Sequence, residues 1–147
     1  MKNPKQFFHL LSYLQYPILL VSLYYYAFFI ISLVQANIQW AELNNVLVFY
    51  GISVSFSTLQ DTTKTQNKFS RKIWEHPTKG KIALVMIALL AFGFIIIGLI
   101  GTFINTESVF KELSFGLTVL GIGVIGMLKA AMEMFENHRK DKNGESS

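Results

Sequence analysis

From Ile82 to Ile104 the chain reads IALVMIALLAFGFIIIGLIGTFI, with no charge, no proline and Thr102 as its only strong hydrogen-bonding side chain. A helix rises about 1.5 Å per residue and the hydrocarbon of a bilayer is about 30 Å thick, so such a run is long enough to cross it. A helix apolar on every side has no stable place on the surface of a water-soluble domain. The stretch therefore commits the chain to a membrane, and the remaining segments are read against it.

Three further segments share this character. Residues 17–35 (PILLVSLYYYAFFIISLVQ) carry no charge and hold three consecutive tyrosines, Tyr24 to Tyr26. Three successive positions point in three directions around a helix, so at least one phenol should meet another helix or water. Residues 40–60 open on Trp40, at the depth where aromatic side chains anchor to an interface, and form the least apolar segment. Residues 113–132 make the fourth. The reading is an all-α polytopic membrane protein: four transmembrane helices at about 17–35, 40–60, 82–104 and 113–132, arranged as two hairpins in one domain, 1–136. A secretory signal ending at Val34-Gln35-Ala36 is a competing reading of the first segment, but its apolar run exceeds the usual signal length.

Outside the spans the charges are sorted. Lys2 and Lys5 precede the first span, and residues 61–81 hold Lys64, Lys68, Arg71, Lys72, Lys79 and Lys81 against Asp61 and Glu75. Arg139, Lys140 and Lys142 follow the last span, whereas the two short connections hold only Glu42, and Glu107 and Glu112 with Lys111. Lysine and arginine stay on the cytoplasmic side, so both termini and the middle segment are expected there, in a cell (inner) membrane. The net charge of +4 is thus local to one face. Lys64, Lys68, Arg71, Lys72 and Trp74 are candidate contacts for anionic headgroups. With no basic surface on a folded domain, nucleic acid is not an expected partner.

The segment 1–16 reads as an interfacial helix with Pro4 in its first turn and Phe7, Phe8, Leu11 and Leu14 able to share a face. No proline or glycine interrupts 61–81 before Pro77, so either a loop or an extension of the second helix fits there. Residues 137–147 read as a solvated, disordered tail.

The two halves superimpose with an offset of about 70 residues: Glu42 falls on Glu112, Leu47 on Leu117 and Gly51-Ile52 on Gly121-Ile122. A duplication would give two hairpins of the same direction, related by an axis along the membrane normal. The repeated glutamate then lies in the first turn of a helix, where the positive end of the dipole favours it.

Small residues mark where backbones approach, since lipid supplies no hydrophobic drive between helices. Ala91, Gly98 and Gly101 form one stripe on the third span, and Gly116, Gly123, Gly126 and Ala130 one on the fourth. Near-heptad spacing keeps a stripe facing a single neighbour, so these two helices are expected to pack together along them.

Catalytic chemistry is not visible. There is no cysteine, and the three histidines, His9, His76 and His138, stand far apart. No Asp, Glu, Lys, Arg or His lies in the middle of a span, where ion-coupled transporters keep one; Lys129 can snorkel to the interface and pair with Glu133. No phosphate loop, zinc motif or nucleophile elbow occurs, and no cofactor is expected. Two functions remain. The leading one is a small non-enzymatic membrane protein acting through helix–helix contacts, as an accessory or assembly subunit beside a membrane-protein partner or as a homo-oligomer. The other is a pore or facilitator for a small solute, with Tyr50, Ser53, Ser57 and Thr58 as its polar lining.

Overall fold

The computed structural model describes residues 4–63, 68–104 and 107–143, and among them it is all helical, with no strand. The elements are α1 (Pro4–Ser12), α2 (Gln15–Val34), α3 (Trp40–Ser57), α4 (Lys68–Trp74), α5 (Pro77–Phe103), α6 (Val109–His138) and α7 (Lys140–Asn143).

Among the described residues three helices are long and apolar enough to cross a membrane: Gln6–Val34, taken through the turn at Tyr13-Leu14, Pro77–Phe103 and Val109–His138. The chain is on this measure a multi-pass membrane protein with three such helices, not four. The second predicted span, α3, falls outside them because Glu42, Asn44 and Asn45 crowd its start and Ser53, Ser55 and Ser57 its end. α3 lies between α2 and α6.

The helices stand in the order α2, α3, α6, α5, and the pairs in extensive contact are the successive ones. Ser22 on Val46, Phe29 beside Trp40 and Ser53 on Gln15 make α2 and α3 antiparallel. Asn44 on Gly116, Gly51 against Leu120 and Thr58 against Gly126 make α3 and α6 parallel. Gly101 against Phe110, Gly98 against Ser114 and Gly80 against Phe135 make α5 and α6 antiparallel. The starts of α2 and α5 and the ends of α3 and α6 consequently share one end of the row, with the basic α4 beside them.

Close approach explains what is buried. The contacts are made largely by Ser22, Gly51, Ser53, Ala91, Gly98, Gly101, Ser114, Gly121 and Gly123, while many large apolar side chains are exposed, Leu89 to 69% and Phe103 to 81%. This inverts the arrangement of a water-soluble domain and is the packing that lipid favours. A compact apolar cluster of Ala91, Leu120 and Val124, flanked by Leu47, Ile87, Phe94 and Met127, fills the middle.

The predicted stripes divide between two partners. Ala91, Gly98 and Gly101 of α5 do face α6, where they meet Gly121, Thr118, Ser114 and Phe110. Gly116, Gly123 and Gly126 do not face α5; they receive Asn44, Gly51 with Ser55, and Thr58 of α3. The internal similarity fares in the same mixed way. Both hairpins run in the same direction, as a duplication requires, but the matched glycines have different neighbours: Gly51 abuts α6, whereas Gly121 abuts Ala91 and Ile95 of α5.

The ends also differ from the sequence-based boundaries. α3 stops at Ser57 rather than projecting through 61–81, which instead holds the separate α4 and the first turn of α5. α6 continues to His138 and a short turn follows at Lys140–Asn143, so the predicted tail is helical in its first part; residues 144–147 lie outside the described residues. α5 and α6, at 27 and 30 residues, outreach the hydrocarbon by roughly 10–15 Å at the standard rise.

A Cβ placed on Gly51 would lie 2.7 Å from the Cα of Leu120, a backbone atom that cannot swing aside. Gly51→Val should therefore lower stability by about 1–3 kcal/mol, the usual range for overpacking. Nothing lies within 4 Å of a Cβ on Gly93, so Gly93→Ala should be neutral or stabilise by up to about 1 kcal/mol through helix propensity. Unfolding titrations in mixed micelles would compare the two.

Candidate functional site

Where the row ends on its basic side, the terminal turns leave a half-open groove of about 530 Å³. Ser57, Thr58, Gln60, Asp61 and Thr62 contribute one wall as α3 gives way to a turn; Ser70 and Trp74 of α4 close another. Ile87 of α5 and Met127, Ala130, Ala131 and Met134 of α6 form the floor, and Gln15 with Tyr16 the α2 side. One half of the lining is thus hydroxyl, amide and carboxylate, and the other is aliphatic, thioether and indole.

The structure separates the four residues predicted to form a polar lining. Ser57 and Thr58 line the groove, but their hydroxyls donate to Val54 O (2.6 Å) and Ser55 O (2.7 Å) of their own helix. Ser53 is buried and donates across to Gln15 O at 2.9 Å, tying α3 to the start of α2. Tyr50 is 46% exposed and takes no part in the groove. Of the predicted packing residues, Ala130 lines the groove and the others sit in the helix contacts described above.

Among the predicted headgroup contacts, Lys64 lies outside the described residues. Lys68, Arg71 and Lys72 are exposed on α4. Trp74 faces inward, its Nε1 donating to Ser70 Oγ at 3.0 Å while Ser70 Oγ reaches Met134 Sδ at 3.7 Å. Ser70 of α4 thus meets α6, while Lys68 and Lys72 are exposed.

Glu75, at the end of α4, holds this orientation. It pairs with Arg71 one turn earlier and with Lys140 Nζ at 3.1 Å, and its carbonyl accepts from Lys140 N at 3.2 Å. The hydrogen bond from Arg71, reinforced by that from Lys140, holds the Glu75 carboxyl below its ordinary range; the same contact raises Arg71. Further along, Lys129 pairs with Glu133 at 3.4 Å, and Thr62 donates to Glu133 at 3.3 Å, linking the α3 turn to α6.

Sequence reasoning missed four of these features. Asn44 Oδ1 accepts from Gly116 N at 2.7 Å; the only signal was an amide pair at the start of the least apolar helix. Ser22 Oγ donates to Val46 O at 3.0 Å, a lone serine in an apolar run. Gly80 accommodates the Phe135 ring, and Glu75 ties the basic segment to the chain's last turns. Neither of the last two can be found without knowing that the helices end together. Among the described residues no group of three or more His, Cys, Asp or Glu could hold a metal ion. No family model, curated protein or solved structure matches the chain.

Two outcomes follow. Ser53→Ala removes a hydrogen bond between helices and should cost about 0.6 kcal/mol, typical of such bonds in membranes, whereas Ser57→Ala loses only a local bond and should be nearly silent in the same unfolding assay. Because Glu75 titrates below the unfolded carboxyl, its contribution is complete above the unfolded value and is lost as the pH falls through the lower folded one. Hydrogen exchange of the α4 amides should therefore rise relative to α6 only on acidification past the ordinary carboxylate range, and Glu75→Gln should reproduce that rise at neutral pH.

Proposed function

We propose that this is a small non-enzymatic integral membrane protein that works through helix–helix contacts, as an accessory or assembly subunit or as a homo-oligomer. In this reading α3 is a fourth span, its polar groups shielded by α2 and α6, and the shared basic end lies in the cytoplasm with both termini. Lys68 and Lys72, turned away from α6, meet anionic headgroups of the inner membrane there.

The observation that carries the reading is Gly93. It lies near the middle of α5, about 200° around the helix from the buried Ala91, and a Cβ there would meet nothing within 4 Å. A glycine inside a helix costs up to about 1 kcal/mol relative to alanine, and inside this chain no contact offsets it. The exposed side chains at Ile82, Met86, Leu89, Ile96, Ile100 and Phe103 place it in a seam of alternating three- and four-residue spacing, with the glycine as its one dent. In so apolar a helix the spacing alone says little; the dent is what favours a neighbouring helix.

The pore reading draws less support. The groove lies at one end, the middle of the row is filled by Leu120, Val124 and Ala91, and the hydroxyls of Ser55, Ser57 and Thr58 are turned back on their own helix.

Gly93→Ile should abolish an oligomer or a co-purifying membrane protein seen in mild detergent, and leave the helix content intact. An unchanged assembly state would remove the reading's support, as would a strictly monomeric, partnerless wild type. Orientation is checked separately: a cysteine introduced at Lys72 should resist impermeant maleimide in intact cells and react after permeabilisation.

A further inference from the structure

We infer that α2 is the contact through which two copies of this chain pair, side by side and in the same orientation, around a two-fold axis along the membrane normal. The inference rests on the helix-contact reading and membrane placement proposed above, and it gives α2 an occupant where Gly93 marks a different face, on α5.

Tyr24 carries it. Counted from Gln15, it is tenth among the 20 residues of α2, about 15 Å from either end at the standard rise, and it is 60% exposed. Its ring packs against Tyr25 and Phe28, with centroids at 5.6 and 4.7 Å, and among the described residues its hydroxyl meets no hydrogen-bonding group. Lipid-facing tyrosines are placed at the interfaces, where the hydroxyl is wet. At mid-depth an unmet hydroxyl costs free energy that a neighbouring helix can recover.

Tyr24 belongs to a continuous exposed seam. Leu20, Tyr24, Ala27, Ile31 and Val34 are all exposed and follow one another at alternating spacings of four and three, which keeps them on one side of the helix. Ser22 and Phe29, which meet α3, lie on the other side. Ala27 is the small residue of the seam, and it lets a second backbone come close enough for the phenol to reach across.

Spacing selects no partner in so apolar a helix; hydrogen bonding and charge do. A phenol hydroxyl both donates and accepts, so Tyr24 can satisfy the partner's Tyr24, and the two-fold axis brings the two to one depth. A parallel contact also sets like charges side by side at the helix ends, and α2 has none to set: no Lys, Arg, Asp or Glu occurs from Gln6 to Ala41. α5 differs. Lys79 lies two heptads before Gly93 on the same side, and Lys81 follows it. Two such faces in parallel would oppose their lysines. The second copy therefore fits α2 and not α5.

The chain has no cysteine, so single cysteines placed along α2 report on their own surroundings. In membranes treated with copper phenanthroline, Leu20→Cys, Ala27→Cys and Ile31→Cys should give a disulfide-linked dimer. Val21→Cys and Ile30→Cys, exposed on other sides of α2, should not. Energy transfer between labelled whole chains diluted into liposomes gives the affinity. Tyr24→Phe removes only the hydroxyl and should weaken the pair about threefold, the worth of a hydrogen bond of about 0.6 kcal/mol between membrane helices. Tyr26→Phe, off the seam, should leave it unchanged. Ala27→Phe should abolish it with helix content intact, since Ala27 is exposed. Cross-linking as strong at Val21 or Ile30 as at Ala27, cross-linking to a different protein, or equal affinities for Tyr24→Phe and Tyr26→Phe would overturn the inference. Gly93→Ile separates it from the α5 reading. An unpaired wild-type chain that loses a bound protein on Gly93→Ile overturns the α2 pair alone; a pair that survives Gly93→Ile, with nothing else lost, overturns the α5 reading alone.

Discussion

The contact between the backbones of α3 and α6 is the constraint on which the rest depends. Gly51 and Gly123 bring the two helices together so closely that a Cβ on Gly123 would strike the Gly51 carbonyl. At that distance the Asn44 oxygen can accept from the Gly116 N–H, and dispersion contacts accumulate from there to Thr58 and Gly126. In lipid, where apolar side chains gain nothing by leaving the solvent, such shape fit is the main cohesive force. It also gives α3 a place. A helix with Glu42, Asn44 and Asn45 near its start is a poor solute for hydrocarbon, and α2 and α6 flank it on two sides.

From this contact the division of labour follows. α6 presents one set of small residues to α3 and another, around Gly121, to α5. The outer helices α2 and α5 each have a single extensive partner and show the remainder of their surface to the surroundings. At the basic end the start of α2, the turn after α3, α4, α5 and α6 together line the groove. α4 covers one of its sides because Glu75 is held by charges from both its own helix and the last turns of the chain.

Much of this was legible in the residues alone. The uninterrupted run at 82–104 identified α5, and the same logic located α2 and α6, because all-round apolarity has few explanations. Glycine and alanine positions told where backbones approach, but not which helix approaches them. Gly116 and Gly121 are separated by an angle that only the assembled row interprets, and the 70-residue similarity assigned both halves one geometry although Gly51 and Gly121 use different neighbours. The boundaries at 61–81 were illegible for a related reason. Whether a basic stretch winds into a helix depends on Ser70 meeting Met134 of α6 and Glu75 meeting Lys140 of α7, some 60 residues further along. The groove inherits that uncertainty, since its walls come from five segments.

The position of α6 at the heart of the row carries a consequence for biogenesis. Ribosomes deliver the chain from its amino terminus, so α3 emerges well before the helix that shields its other flank. Until α6 arrives, the amides near its start and the backbone at Gly51 face lipid, water or the insertion machinery. Cover on both flanks of this weakly greasy segment is thus completed only when α6 has been made.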